Sequence, residues 1–218
     1  MKRIAMLMTF LVLAAASAWA NTITVDNYNF ATLPIGGLNN YYIGGNYSAW
    51  VDIPGWSISG NTAPGYGQWA PKGIAFVGYT GNTTVAFTNG PTIYQIVDTT
   101  PGVVPGVTYT LTVDIGNRMD AFTYEGGADL LINGVTYYAT GTPPAPGYFS
   151  PYTVTYTGLA GDAGQPIEIQ LTAATNEGEF YDVTLSDNST SAIPEPSSLL
   201  LLGTGLAGLA GFARRRLG

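Results

Sequence analysis

The sequence contains no cysteine and no histidine. Without cysteine the fold has no disulfide, so its hydrophobic core must hold it together. Without either residue, the usual zinc, haem and copper sites cannot be built, and neither can a nucleophilic triad that depends on histidine. A hard cation on oxygen ligands, such as calcium, stays compatible with this composition.

Basic residues are also scarce, and most of them lie at the two ends. Only Lys72 and Arg118 lie between residues 21 and 193, where thirteen Asp and Glu give a formal net charge of −11. A surface this acidic repels the phosphates of nucleic acids and anionic lipids. We therefore expect no nucleic-acid partner, and the charge suits a soluble domain outside the cell.

The first twenty residues have the pattern of a secretory signal peptide. Lys2 and Arg3 precede an apolar run over residues 4–16, which is too short to span a bilayer comfortably. Ala18 and Ala20 then frame a small-x-small cleavage site. This predicts a signal helix over 1–20 and a mature chain that begins at Asn21, with an uncleaved N-terminal anchor as the alternative.

The interior predicts an all-β domain over residues 21–187. Residues 107–115 alternate strictly between apolar and polar side chains, as a half-buried strand does, and Asn133-Gly134 predicts a hairpin between 128–132 and 135–139. Further strands are predicted at 73–79, 83–88, 92–97, 152–157, 167–172 and 181–185. This many short strands predict a β-sandwich, specifically a jelly roll, with an irregular loop at 143–147.

The C-terminus combines three elements in a fixed order. A polar linker over 188–193 leads to Pro194, Glu195 and Pro196, then to a charge-free span over 197–213 and to Arg214, Arg215 and Arg216. As a helix the span covers about 25 Å, slightly less than the hydrocarbon core of a bilayer. The arginines should stay cytoplasmic, which places the β domain outside. Hydropathy alone leaves a plain tail anchor open.

Residues 194–218 closely resemble the PEP-CTERM sorting signal. The resemblance implies recognition by an exosortase, a membrane-bound transpeptidase-like protease, near Pro194, Glu195 and Pro196. It also implies a Gram-negative host that makes extracellular polysaccharide. Similar tails occur on proteins labelled ice-binding, although nothing in the tail would contact ice.

Three segments of the domain resemble the galactose-binding-like jelly rolls common in PEP-CTERM proteins. They are 53–56, 106–118 and 180–185. The last segment often reads Phe-Asp-Asn-Val in such families, and Tyr181 stands in place of the first Asp, so any role of that carboxylate does not carry over. The resemblance implies a sugar-binding fold, although a fold does not fix a function.

Aromatic residues are the candidate carbohydrate contacts. Trp50, Trp56, Tyr66 and Trp69 fall within twenty turn-rich residues. Exposed rings can stack on the apolar faces of sugars, and the alternative is that these side chains fill the core. Arg118 could clamp an acidic sugar, or it could pair with a nearby carboxylate such as Asp114 or Asp120.

Two further site hypotheses are weaker. A structural calcium site near Asp26 and Asn27 is implied only by resemblance to jelly rolls, and no loop has the ligand spacing of an EF-hand. No other cofactor or metal site is expected. A glycosidase needs two carboxylates, for which the candidates are Glu125, Glu168, Glu177 and Glu179, but none lies in a distinctive motif.

The sequence therefore predicts a non-enzymatic protein that is exported across the inner membrane, anchored there transiently and then released to the cell surface or matrix. Its expected partners are the secretion machinery, an exosortase and, as the candidate ligand, extracellular polysaccharide. A glycosidase-like secreted enzyme and a plain membrane-anchored structural domain are the alternatives.

Overall fold

The computed structural model describes residues 20–63, 65–120, 124–174 and 176–189. The predicted signal helix, the span over 197–213, Pro194 to Pro196, Arg214 to Arg216 and Ala18 lie outside these residues. Within the described part of the chain, no helix is long and apolar enough to cross a membrane. Residues 20–189 form one compact unit.

Strands make up nearly all the regular structure of this unit. In chain order they are β1 (Asn21–Ile23), β2 (Asn40–Tyr42), β3 (Gly45–Ala49), β4 (Ser57–Ser59), β5 (Gly65–Pro71), β6 (Val85–Asn89), β7 (Thr92–Val97), β8 (Thr108–Asn117), β9 (Gly127–Ile132), β10 (Val135–Tyr138), β11 (Thr140–Gly141), β12 (Tyr148–Thr157), β13 (Ile167–Thr172) and β14 (Gly178–Asp187). A short 3₁₀ helix spans Ala160–Asp162.

The strands form two antiparallel sheets. The large sheet has the order β11-β12-β8-β14-β6-β5-β3-β2, and β1 pairs with β14 beside it. The small sheet has the order β10-β9-β13-β7-β4. Because non-consecutive strands are neighbours in both sheets, the chain crosses repeatedly between them. The prediction of an all-β sandwich is confirmed.

The strongest predicted strand is confirmed as β8. Its alternation is reproduced in the structure, where Tyr109, Leu111, Val113 and Ile115 are buried and the threonines between them are half-buried. The predicted hairpin is also confirmed, because Asn133 and Gly134 adopt positive φ angles of 49° and 76° between β9 and β10.

The predicted strand at 73–79 is wrong. These residues form turns in which Ala75 and Phe76 are fully buried. Phe76 stacks on Phe149 with ring centroids 4.5 Å apart, so the segment folds over the large sheet instead of pairing within it. The other predicted strands occur as β6, β7, β12, β13 and β14, and residues 143–147 form the predicted loop.

Two apolar clusters lie on opposite faces of the large sheet. The main core fills the space between the sheets and includes Leu111, Ile169 and Phe180. The second cluster joins Trp69, Ala75, Phe76, Val85 and Phe87 on the outer face of the large sheet. The outer cluster forms because β5, β6 and β14 carry large side chains on both faces, unlike a strand with one solvated face.

The long strand β14 separates two ends of the unit. At one end Asn21 pairs with Asp187, and the Asn21 side-chain amide donates to Ser189 Oγ at 2.9 Å. At the other end Gly178 pairs with Thr88. Residue 189 therefore follows the end of β14 that lies away from Gly178.

Candidate functional site

Side chains on the outer face of the large sheet form the candidate site. Trp69 on β5, Phe87 on β6 and Glu179 on β14 all belong to this face. The adjacent residues Ala86 and Phe180, and Tyr66 three positions before Trp69, point to the main core instead. Gly67, Phe87, Glu179 and Gly116 are in register across four adjacent strands. The alternation of strand side chains thus brings distant residues into one row.

An open cleft of about 520 Å³ lies on this face. Its walls combine aromatic rings with a few polar groups. The lining residues are Tyr42, Tyr47, Ala49, Trp50, Gly65, Trp69, Phe87, Asn89, Arg118 and Glu177. A mostly apolar concavity with a few polar groups is the usual form of a small-ligand site.

Trp50 is the exposed ring of the cleft. It lies just after β3, the residue is 60% exposed, and its φ angle is +57°. A bulky residue rarely adopts this left-handed conformation, which costs about 1–3 kcal/mol. The indole lies over Gly65, where an added Cβ would be 3.5 Å from Trp50 Cζ2. A large apolar ring is therefore held in a strained position at the surface of the cleft.

Arg118 lies at the end of β8 and is surrounded by carboxylates. Its Nε donates to Asp120 Oδ1 at 2.9 Å and its Nη2 donates to Asp120 Oδ2 at 3.1 Å. Nη1 donates to Glu177 and lies 3.6 Å from Glu179 Oε1. The guanidinium also lies 4.4 Å from the ring centroid of Trp69 and 5.6 Å from that of Tyr42.

These contacts keep Arg118 charged although it is buried. Burial opposes its charge, but the hydrogen bond to Asp120 and the charges of Glu179 and Glu177 together raise its pKa above the ordinary value. The interpretation that Arg118 pairs with a nearby carboxylate is correct for Asp120. Asp114 instead lies opposite Tyr181 in the sheet, where burial raises its pKa.

Glu179 is the most deeply buried acid of the site. Its side chain is 1% exposed, and Trp69 Nε1 donates to its Oε2 at 2.5 Å. Burial, followed by the charge and the hydrogen bond of Glu177, raises its pKa well above the ordinary value, although Arg118 and Trp69 act in the opposite direction. A carboxyl in this position favours its protonated form.

The four aromatic residues singled out from the sequence divide into two pairs. Trp50 and Trp69 line the cleft. Trp56 and Tyr66 are buried in the main core, where Trp56 packs against Phe30 with ring centroids 5.5 Å apart. The first pair can therefore touch a ligand in the cleft, and the second pair is occupied by packing.

The four candidate carboxylates of a glycosidase lie in three different places, and only two of them are close together. Glu168 accepts a hydrogen bond from Gln170 on β13 of the small sheet, and Glu125 accepts one from the backbone of Asn176. Glu177 and Glu179 do meet at the cleft, where Nη1 of Arg118 donates to Glu177 and lies 3.6 Å from Glu179 Oε1. Both carboxyl groups are therefore engaged with Arg118, and the side chain of Glu179 is only 1% exposed, which does not suit a pair that flanks a glycosidic bond.

In the region suggested for calcium, the backbone of Asp26 and the side chain of Asn27 are hydrogen-bonded within the protein. Asn27 Nδ2 donates to Pro54 O at 2.9 Å, and Asn27 Oδ1 accepts from Thr32 N at 2.8 Å. Asp26 exchanges backbone hydrogen bonds with the side chain of Gln95. Among the described residues, no group of three or more acidic side chains is arranged so that it could hold a metal ion.

Sequence reasoning missed most of the polar cleft. Tyr42, Tyr47 and Asn89 lie on strands β2, β3 and β6, of which the first two were not predicted. Glu177 reaches Arg118 across 59 residues of sequence. The one available signal was Arg118 itself, the one Arg between residues 21 and 193, because a buried Arg requires carboxylate partners.

Comparison with protein families gives two matches that together cover most of the chain. The HpiC1-like family, described as HpiC1 cyclase, matches residues 21–186. The PEP-CTERM protein-sorting motif matches residues 192–216, which confirms the resemblance of the tail and indicates export and sorting. Comparison with curated proteins gives no match.

Solved structures with some similarity include carbohydrate-binding modules. The CBM22-1 xylan-binding domain of Paenibacillus barcinonensis Xyn10C matches 81% of this chain and 100% of its own, at 9% identity and a TM-score of 0.45. The CBM22-1-GH10 modules of Clostridium thermocellum xylanase 10B match 69% of this chain at 12% identity and a TM-score of 0.41.

A third structure, the tailspike protein 4 of bacteriophage CBA120, matches 62% of this chain at 12% identity and a TM-score of 0.39. This chain covers only 30% of the xylanase and 19% of the tailspike. At TM-scores below 0.5, these similarities do not bear on what the cleft binds.

Proposed function

We propose that this chain, which belongs to the HpiC1-like family and carries a PEP-CTERM sorting motif, is an exported, non-enzymatic surface or matrix protein. In this proposal it binds a polysaccharide in its aromatic cleft. The observation that carries this proposal is the exposed ring of Trp50 above a cleft with further aromatic walls. Sugar rings have apolar faces that stack on such side chains.

The polar lining supports the same ligand class. Asn89 and Glu177 lie among the aromatic walls. An amide both donates and accepts hydrogen bonds and a carboxylate accepts them, which matches the hydroxyl groups around a sugar ring. The cleft volume of about 520 Å³ lies within the usual range for small-ligand sites.

The sorting motif supplies the cellular context. We expect residues 197–213 to insert in the inner membrane as a helix, with Arg214 to Arg216 on the cytoplasmic side. An exosortase then processes the chain near Pro194, Glu195 and Pro196, and the domain reaches the cell surface or the matrix. Residue 189 leads toward this motif from the end of β14 that lies opposite the cleft.

A ring-closing enzyme is the second candidate function. It is favoured by the family description, which names a cyclase, and by the raised pKa of the Glu179 carboxyl beside the cleft. Glu179 is 1% exposed, so a proton would have to reach a ligand through Glu177, which lines the cleft. The deep burial of Glu179 makes simple binding the better-supported function.

A glycan array probed with the purified protein tests the proposal. Trp50→Ala should weaken binding by about 10-fold or more, the usual cost of removing a central aromatic contact. Tyr138→Ala is the matched control, because Tyr138 is 72% exposed on the small sheet, away from the cleft. Binding that both variants retain would contradict the proposed site.

The same experiment separates a binder from an enzyme. Bound glycans are recovered and compared with the starting material by mass and by chromatographic retention, since a ring closure need not change the mass. Recovered ligands that are unchanged support binding alone. Altered ligands that Glu179→Gln no longer produces would favour the cyclase.

A further inference from the structure

We infer that the cleft selects uncharged glycans and discriminates against chains that carry carboxylate groups. This inference rests on the proposed function and names its ligand class. The cleft lies in a strongly acidic domain although it contains a buried arginine.

Positive charge is nearly absent from the domain. Lys72 and Arg118 are its two basic residues, and Arg118 alone lines the cleft. Lys72 lies 5.9 Å from the ring centroid of Tyr41, a residue that is not part of the cleft lining. Recognition of a carboxylate on a ligand would therefore depend on Arg118.

The guanidinium of Arg118 is already used within the protein. The edge formed by Nε and Nη2 makes a two-point contact with Asp120, and Nη1 contacts Glu177. Its faces lie against Trp69 and Tyr42, and its side chain is 8% exposed. Arg118 therefore acts as an internal counter-charge, because each of its three side-chain nitrogens already donates to a carboxylate of the protein.

The charge that a ligand meets is negative. Glu177 lines the cleft with a side chain that is 12% exposed, and the surrounding domain has a formal net charge of −11. A carboxylate entering this space would be desolvated beside a like charge, which disfavours binding. A neutral sugar meets no such penalty and can still use Asn89 and the aromatic walls.

A matched pair of polymers tests this selectivity. A neutral polysaccharide that binds the protein is compared with a derivative in which part of its primary hydroxyls has been oxidised to carboxylates. We expect the oxidised polymer to bind at least 10-fold more weakly at low salt, with a smaller difference at 0.5 M salt because salt screens the repulsion.

The outcomes distinguish the two proposals. If neutral glycans bind and their oxidised derivatives bind more weakly, both carbohydrate binding and the selectivity against carboxylates are supported. Preferential binding of acidic glycans would overturn the selectivity while leaving carbohydrate binding in place. Binding of no glycan in the array would overturn both.

A pair of charge variants locates the source of the discrimination. Glu177→Gln should reduce the difference between the neutral and oxidised polymers several-fold. Glu168→Gln makes the same change in net charge on the small sheet, beside Gln170, and should leave the difference unchanged. Equal behaviour of the two variants would contradict a role of Glu177 in selectivity.

Discussion

Replacement of Arg118 by Met tests whether the buried charge cluster holds the cleft together. Methionine keeps an unbranched apolar side chain against Trp69 but removes every hydrogen bond to Asp120 and Glu177. The three carboxyl groups would then stay clustered without a counter-charge. Their side chains are between 1% and 12% exposed, so water replaces little of the lost interaction.

The expected cost follows from this burial. Removing one partner of a buried ion pair lowers the free energy of unfolding by about 3–5 kcal/mol. For a domain of this size, about 1 kcal/mol corresponds to about 2–4 °C in Tm, so the Tm should fall by roughly 6–20 °C. Lys72→Met removes the same charge from a partly exposed side chain and should cost less than about 1 kcal/mol.

Urea unfolding of both variants at several pH values provides the measurement. Arg118 lowers the pKa of Glu179, so its removal raises that pKa further. A raised folded-state pKa gives stability at low pH that is lost as the pH rises through it. The deficit of Arg118→Met should therefore be larger at pH 8 than at pH 5. A deficit that is independent of pH and no larger than that of Lys72→Met would refute the argument.

Three further predictions concern other parts of the chain. Burial raises the pKa of Asp129 to about 6, so the free energy of unfolding should fall relative to that of Asp129→Asn as the pH rises from 4 to 7, and parallel pH profiles would contradict this. N-terminal sequencing of the exported protein should begin at Asn21, and retention of Lys2 would rule out the cleavage site. Glu195→Ala should accumulate uncleaved in the inner membrane of a host with its exosortase, whereas a plain tail anchor would fractionate like the wild type.

The sequence predicted the elements whose formation depends mainly on residues that are adjacent in the chain. The alternation in β8 and the Asn133-Gly134 turn each need only a few adjacent residues, and both are present in the structure. The segment at 73–79 failed because its burial comes from stacking on Phe149, which lies about seventy residues later in the chain. Nothing within the segment itself distinguishes it from a short strand.

The candidate site depends on long-range contacts, so the sequence predicted it only in part. Tyr66 and Trp69 are an odd number of positions apart on β5, so the alternation of side chains alone places them on opposite faces. Which of the two faces of β5 lines the cleft depends on the face against which the small sheet packs, and the alternation does not show this. In the same way, Asp120 was recognisable as a partner of Arg118 two residues away, whereas Glu177 was not.

The indole N–H resonances provide the most direct test of the cleft. The domain contains three tryptophans, Trp50, Trp56 and Trp69, so a ¹H–¹⁵N spectrum of the mature protein should contain three such signals. We predict that titration with a neutral glycan shifts the signals of Trp50 and of Trp69, whose Nε1 donates to Glu179, and leaves that of Trp56 in the core unchanged. A glycan that binds without moving the Trp50 signal, or that moves only the Trp56 signal, would contradict a binding site in this cleft.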